Sequence, residues 1–131
     1  MAAPRKPKKK TKKIARAILR TDELEPVVGI TAPRLAKVFD EESFGAFAVL
    51  ETGDGQFIQT ASEWEPGAVS AAFLRKNESD PWRVEYRESA AEPMYRLKGH
   101  HRLAQVKIAF LSWLAGDDGW RKAHTWKVLE L

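Results

Sequence analysis

The chain has 131 residues, of which 44% are hydrophobic, and it includes five Trp and six Phe but no Cys. This length and composition predict one domain with a hydrophobic core. The lack of Cys excludes disulfide bonds, thiolate zinc sites and cysteine nucleophiles.

Charge is distributed unevenly along the chain. Nine of the 22 Lys and Arg residues, and none of the 18 acidic residues, lie in residues 1–20. The remainder carries thirteen bases against eighteen acids, a net charge of −5. This division predicts a flexible Lys/Arg-rich arm over residues 1–20 and a globular domain over residues 21–131.

The basic arm is a candidate polyanion-binding segment, because Lys and Arg neutralise phosphates and release counterions. The alternative is a solvated tail, and the arm has no aromatic residue with which to stack a base. A short helix from Thr11 to Arg20 is expected, since Ile14 and Ile18 are spaced i, i+4. The candidate polyanion-binding residues are Arg5, Lys6, Lys8, Lys9, Lys10, Lys12, Lys13 and Arg16.

Targeting and membrane signals are weak. No apolar run approaches the roughly 20 residues of a membrane span. Arg16 interrupts the short apolar stretch after the basic start, and no small-residue cleavage site follows. We therefore expect a cytoplasmic protein.

The domain is predicted to begin with a strand and a helix. Val27 to Ile30 is a short apolar stretch typical of a strand. Thr31 can cap a helix that has Pro33 in its first turn and runs to about Glu41.

A hairpin is predicted next. Residues 44–52 and 56–61 flank Gly53-Asp54-Gly55, a turn sequence typical of hairpins. The uninterrupted apolar run from Ala46 to Leu50 predicts a strand covered on both faces. Residues 62–81 are then expected to form a loop, with one helical turn around residues 69–74.

The last part of the chain is predicted to contain three strands and a helix. Strict alternation from Trp82 to Arg87 predicts a strand with Trp82, Val84 and Tyr86 on the core face. Tyr95 and Leu97 continue this pattern in a partner strand. His101 to Ala115 has a helical apolar stripe and is followed by Gly116, which ends it. Residues 126–129 add a final strand.

Together these elements predict a single-domain α+β fold with a mainly antiparallel sheet of four to six strands. The C-terminal amphipathic helix, His101 to Ala115, covers one face, and the helix from Thr31 to Glu41 packs nearby. A disordered basic arm precedes the domain.

Charged residues on the outer side of the predicted sheet form one candidate protein-binding surface. Residues at i and i+2 of paired strands share a face, so this row could meet acidic groups on a partner. The alternative is an ordinary solvated face with cross-strand ion pairs. The row consists of Arg83, Glu85, Arg87, Arg96 and Lys98.

The tryptophans divide into two groups. Trp82 and Trp113 lie on predicted core faces, whereas Trp64, Trp120 and Trp126 are candidate surface anchors, the kind of residue that dominates interface energies. Of these three, Trp64 and Trp120 are assigned to the predicted protein-binding site.

No metal, cofactor or catalytic site is predicted. His100 and His101 are adjacent and point in different directions, and no His pair at i, i+4 occurs. Asp117 and Asp118 are expected to form a polar turn after the last helix. The chain also lacks a nucleophile elbow, a phosphate-binding glycine loop and a Rossmann fingerprint, so we expect a protein that is not an enzyme.

Three segments resemble a known group of proteins: Gly55 to Gln59, Trp82 to Arg87, and Gly116 to Trp120 with the later Trp126. The pattern from Phe44 to Leu131 is similar to small bacterial proteins grouped with the immunity proteins of polymorphic toxin systems. This resemblance implies a non-enzymatic protein that binds a cognate toxin tightly through an acidic or mixed surface. The Lys-rich arm is not part of it.

The sequence therefore favours a non-catalytic protein-binding domain, with immunity-like neutralisation of a partner such as a toxin domain. The alternative is an accessory nucleic-acid-binding protein whose arm makes sequence-independent phosphate contacts.

Overall fold

Strand pairing in the computed structural model, which describes residues 16–129, builds one seven-stranded antiparallel sheet. The strands lie in the order β2-β1-β3-β4-β5-β6-β7. The predicted α+β class is confirmed, with one strand more than the upper limit expected. The strands are β1 (Ile18–Thr21), β2 (Val27–Val28), β3 (Phe47–Glu51), β4 (Phe57–Ser62), β5 (Trp82–Arg87), β6 (Met94–Leu97) and β7 (Trp126–Leu129).

Two packed helices cover one face of this sheet. Phe39 lies between Phe44 and Phe110, with ring centroids 5.1 and 5.0 Å away, and this aromatic cluster joins two helices to the sheet. Among residues 16–129, no helix is long and apolar enough to cross a membrane. The helices are α1 (Ala32–Glu41), α2 (Ala68–Asn77), α3 (Leu103–Ala115) and α4 (Gly119–Lys122).

The predicted bounds of α1 and the predicted end of α3 are confirmed by local hydrogen bonds, whereas α3 begins at Leu103 rather than at His101, which forms a β-bridge with Trp82. The Thr31 hydroxyl accepts from the Arg34 amide at 3.4 Å and caps α1. Gly116 ends α3 in the left-handed region, at φ +84°. The first amide of α3, that of Leu103, donates to Ser79 Oγ at 2.9 Å, so the loop before β5 holds this end of the helix.

The predicted boundary of the basic arm is wrong at its C-terminal end. Ile18–Thr21 is strand β1, which lies between β2 and β3, and Ala17 and Leu19 are buried. The expected helix from Thr11 to Arg20 is therefore wrong over β1, and its earlier part lies outside the described residues. The i, i+4 spacing of two isoleucines was misleading, because Ala17 and Leu19 follow the two-residue period of a strand.

Two other expectations need correction. The run in β3 is covered on one face only, since Ala48 and Leu50 are buried whereas Phe47 is 41% exposed. The segment between β4 and β5 holds the ten-residue helix α2 rather than one turn, and Ser70 is the only buried residue of that helix. An exposed helix with little apolar periodicity gives a weak sequence signal.

The hairpin between β3 and β4 allows a direct test of backbone conformation. Gly55 has φ +90°, and a Cβ there would lie 2.7 Å from the Ala90 amide nitrogen. Gly55→Ala is therefore expected to lower the free energy of unfolding by about 2 kcal/mol, as measured by urea denaturation. Gly53→Ala is the matched control, because nothing lies within 4 Å of its Cβ position. Equal effects of the two substitutions would contradict this turn geometry.

Candidate binding face and cleft

The face of the sheet opposite α1 and α3 carries four of the six predicted protein-binding residues. It bears five cations and two carboxylates, a net charge of +3, although residues 20–131 together carry −4. The acidic residues of the domain therefore lie mainly elsewhere. We call this surface the open face; its residues are Ile18, Arg20, Val28, Phe47, Val49, Glu51, Phe57, Gln59, Ala61, Arg83, Glu85, Arg87, Met94, Arg96, Lys127 and Leu129.

A buried carboxylate organises the centre of the open face. Glu85 is only 3% exposed, although the sequence placed it on a solvated surface. It accepts hydrogen bonds from Arg96 Nε and Gln59 Nε2, each at 2.7 Å, and Arg83 Nε lies 3.5 Å from it. A buried charge of this kind persists only when its partners compensate the lost hydration. The two arginines are therefore held in fixed positions by the carboxylate that they cover.

The charged network continues from the open face to the end of β4. Glu63 accepts from Arg83 Nη1 at 2.8 Å and from His100 Nε2 at 2.6 Å. His100 in turn lies edge-on to Phe73 of α2, with ring centroids 6.3 Å apart. Arg83 thus bridges Glu63 and Glu85. It connects the charged row on the sheet to the segment that contains Trp64, two regions with no evident link in the sequence.

A cleft of about 630 Å³ opens beside this network, between α2 and the start of β5. Trp64 lies in its wall and keeps 39% of its surface exposed. The cleft therefore offers an aromatic wall next to fixed charges. Its lining residues include Glu63, Trp64, Ser70, Phe73, Arg83 and His100.

Apolar side chains extend the same surface across β3 and β4. Phe47 pairs with Ala61 and Ala61 with Arg83, so these three residues form one row on the open face. The arginine at the end of this row also lines the cleft. Sequence reasoning missed Phe47, because an apolar run without polar alternation does not show which of its residues face solvent.

The remaining predicted basic residues lie around this centre. Arg87 donates from Nε to the Gly55 carbonyl at 3.1 Å, and its guanidinium lies 5.1 Å from the centroid of the Phe57 ring. Lys98 is exposed one residue beyond β6; its amide donates to the Thr125 carbonyl, so it continues the pairing with the β7 segment and lies on the same side as Arg96, next to the open face. Lys127 of β7 pairs with Arg96 and adds a cation that the sequence did not single out.

Trp120 is not a surface anchor. It is 8% exposed, and its ring lies edge-on to Tyr86 at 4.8 Å and to Trp126 at 5.7 Å. Its indole nitrogen donates to the Asp117 carbonyl at 3.0 Å. Helix α4 turns this side chain back onto the core, so the assignment of Trp120 to a binding surface is wrong.

The predicted polyanion-binding arm lies almost entirely outside the described residues. Of its candidate residues only Arg16 is described; it is exposed and adopts a left-handed conformation at φ 58°. It is followed by Ala17 and then by β1, whose Arg20 belongs to the open face and forms an ion pair with Glu51 at 2.5 Å. The basic segment therefore joins the sheet at a strand that contributes to the basic face.

Two histidines from separate segments meet beside the start of α3. His101 Nε2 lies 3.3 Å from His124 Nε2. Burial lowers the pKa of His101, and the neighbouring His124 lowers it further. The sequence could not reveal this pair, because the two residues are 23 positions apart and share no motif spacing.

The protonation state of Glu63 should affect the stability of the fold, because this carboxylate is hydrogen-bonded in the charged network beside the cleft. The hydrogen bond from His100 is the largest cause of a pKa below the ordinary 4.5; partial burial opposes it and Arg83 adds to the lowering. A carboxyl with a depressed folded-state pKa stabilises the fold above its unfolded pKa, and that contribution is lost as pH falls. We therefore expect Glu63→Gln to flatten the pH dependence of thermal unfolding between about pH 5 and pH 3. Parallel curves for the two proteins would contradict the hydrogen bond from His100.

No protein-family model, curated protein or solved structure matches this chain. Function is therefore inferred from the residues of the open face and the cleft.

Proposed function

We propose that this protein is a non-catalytic binding protein whose open face and cleft contact an acidic surface of a partner protein. The observation that supports this most strongly is the exposed Trp64 beside Arg83, which Glu63 and Glu85 hold in place. Tryptophan and arginine are the residue types that contribute most often to interface energies. The immunity-like form of this proposal is stoichiometric neutralisation of a toxin domain.

The fixed positions of the two arginines support a binding role for this face rather than that of an ordinary solvated surface. Arg83 and Arg96 are each about one-third exposed, so they present charge to a partner while Glu85 fixes their positions. A side chain that is already ordered loses less conformational entropy on association. These ion pairs thus contribute to the specificity and orientation of partner binding more than to the stability of the complex.

The charge of the surface indicates the chemistry of the partner. The open face is net positive within an acidic domain, so a partner that presents carboxylates is steered towards this face. The cleft beside it can accept one protruding apolar side chain against Trp64 and Phe73. A gene for a large secreted toxin directly beside this one would support the immunity-like form.

Sequence-independent nucleic-acid binding is the second candidate function. The observation that favours it is the continuity from the basic residues before Arg16, through β1, to Arg20 on the open face. Phosphate contacts by these residues would make affinity fall steeply with salt.

Two sets of variants separate these functions. Removal of residues 1–15 leaves β1 complete, whereas removal of residues 1–20 would delete most of this strand, which lies between β2 and β3. We expect capture of a protein partner to survive removal of residues 1–15 and to be lost in the double variant Lys98→Glu/Lys127→Glu. The control double variant, Lys37→Glu/Lys122→Glu, makes the same charge change at exposed helical residues and should bind normally.

The same proteins are tested against labelled duplex and single-stranded nucleic acid over a salt series. Binding that requires residues 1–15 and has a steep negative salt slope would establish the second function. Partner capture that is lost equally in both charge-reversal variants would contradict a role for the open face.

A further inference from the structure

We propose that Arg96, Lys98 and Lys127 form a binding site for a dianionic phosphate group, and that this group belongs to a phosphorylated side chain of the partner protein. The inference rests on the proposed function, because it specifies one acidic group that the open face receives. The site lies towards the β7 edge of the sheet, on β6, on the residue that follows β6 and on β7.

The sheet brings these three cations together on one side of β6 and β7. Arg96 lies directly opposite Lys127, so their Cβ atoms are about 5 Å apart. Lys98 follows Arg96 by two residues on the same side, and its amide donates to the Thr125 carbonyl at 3.0 Å. Neighbours at this spacing start about 7 Å apart, within reach of long side chains. The three cationic groups therefore reach a common point above the strand pair.

The positive charge of the site is only partly neutralised. Like charges directly opposite each other on paired strands destabilise a sheet. Glu85 lies on the other side of Arg96, and Arg83 shares it. Within residues 16–129, neither Lys98 nor Lys127 forms an ion pair. An anion bound here would relieve the repulsion between these cations.

The guanidinium of Arg96 is already positioned to bind an oxyanion. Its Nε and Nη2 lie 2.7 and 2.6 Å from Glu85 Oε2, which fixes the plane of the group. Glu85 occupies one edge of the guanidinium, so the edge formed by Nη1 and Nη2 still presents two N–H groups. This edge is the fork that binds two oxygens of a phosphate or carboxylate. The side chain is 36% exposed, so a ligand reaches it from solvent.

The number of cations favours a phosphate monoester over other anions. A phosphorylated side chain carries about −1.5 to −2 charges at pH 7 and three acceptor oxygens, so one group contacts all three cations. A carboxylate, or a phosphodiester of nucleic acid, brings only one negative charge.

The shape of the site favours a phosphate carried by a protein over a small molecule. The three cations lie on the surface of the sheet, and none of them lines the cleft beside Trp64. A small ligand would bury little of its surface here, whereas specific small-molecule sites enclose most of the ligand. The remaining contacts therefore come from a partner that also covers the open face.

Inorganic phosphate tests the site itself, by NMR of the full-length protein at about pH 7.5 with ionic strength held constant by NaCl. The Nε–H signal of Arg96 and the amide signals of Lys98 and Lys127 should shift saturably with sodium phosphate. Sodium acetate should need at least about tenfold higher concentration for the same shifts. Equal concentrations of the two salts for half-maximal shift would overturn the proposal.

A pair of charge-neutralising variants tests the assignment of the lysines. Lys127→Gln should weaken phosphate binding at Arg96 about threefold, because it removes one of three cations. Lys37→Gln, the matched control on exposed helix α1, should leave it unchanged. Equal weakening in the two variants would show that the effect is one of net charge and would overturn the site.

Phosphatase treatment of the captured partner tests the source of the phosphate. Surface plasmon resonance should show at least about tenfold weaker binding of the dephosphorylated partner, and this difference should vanish in the double variant Lys98→Gln/Lys127→Gln. Undiminished binding after phosphatase treatment would overturn the inference and leave the proposed function standing. Phosphate binding at Arg96 without capture of any partner protein would contradict the proposed function, and with it the assignment of the phosphate to a partner.

Discussion

Substitution of Phe110 by Ala is expected to lower the free energy of unfolding by about 4 kcal/mol. Phe110 is completely buried in the middle of α3, and its ring lies edge-on to Phe39 of α1 at 5.0 Å. The substitution removes this contact and leaves a cavity between the two helices and the sheet. Urea denaturation followed by tryptophan fluorescence measures the change.

The same helix supplies the control for this substitution. Ile108 lies on the same helix but is 57% exposed. Ile108→Ala should change the free energy of unfolding by less than about 0.5 kcal/mol. Similar losses at the two positions would mean that α3 is rotated relative to the structure described above.

Substitution of Trp64 by Ala is expected to weaken binding of the protein partner by about 100-fold, as befits a large aromatic residue at the centre of an interface. The indole lines the cleft next to Arg83, and it is the largest exposed aromatic side chain there. Because the side chain is 39% exposed in the free protein, its loss should change stability much less than binding. Surface plasmon resonance with the captured partner measures the affinity.

Ile108→Ala also serves as the control for the effect on binding. It removes an exposed apolar side chain from the helical side of the domain, opposite the open face. Unchanged affinity in Trp64→Ala together with weaker binding in Ile108→Ala would place the interface on the helices and contradict the proposed function.

Most of the fold was predictable because its strands alternate and its helices carry clear end signals. Trp82, Val84 and Tyr86 are buried as their alternation indicates, and Gly116 ends α3 as expected. The prediction failed at β1, where Ala17 and Leu19 follow a stretch of basic residues. The basic residues of that segment suggested an arm that continues to residue 20. A strand of four residues is also too short for its two-residue period to be recognised in the sequence.

The candidate site was predictable only in part. The sequence identified Arg83, Arg96 and Trp64, because alternation and a tryptophan in a polar segment are local signals. It did not reveal that Glu63 and His100 meet, since their contact joins residues 37 positions apart. The burial of Trp120 was likewise hidden, because it depends on how the short helix α4 folds back onto Tyr86.

The most direct test of the proposed binding surface is site-specific photocrosslinking in the cells that make this protein. A photoreactive phenylalanine derivative is placed at Trp64 in one variant and at Ile108 in the other. We expect a discrete protein adduct from position 64 that persists after removal of residues 1–15, and none from position 108. An adduct from position 108 alone, or an adduct from position 64 that contains nucleic acid, would contradict protein binding through the open face and cleft.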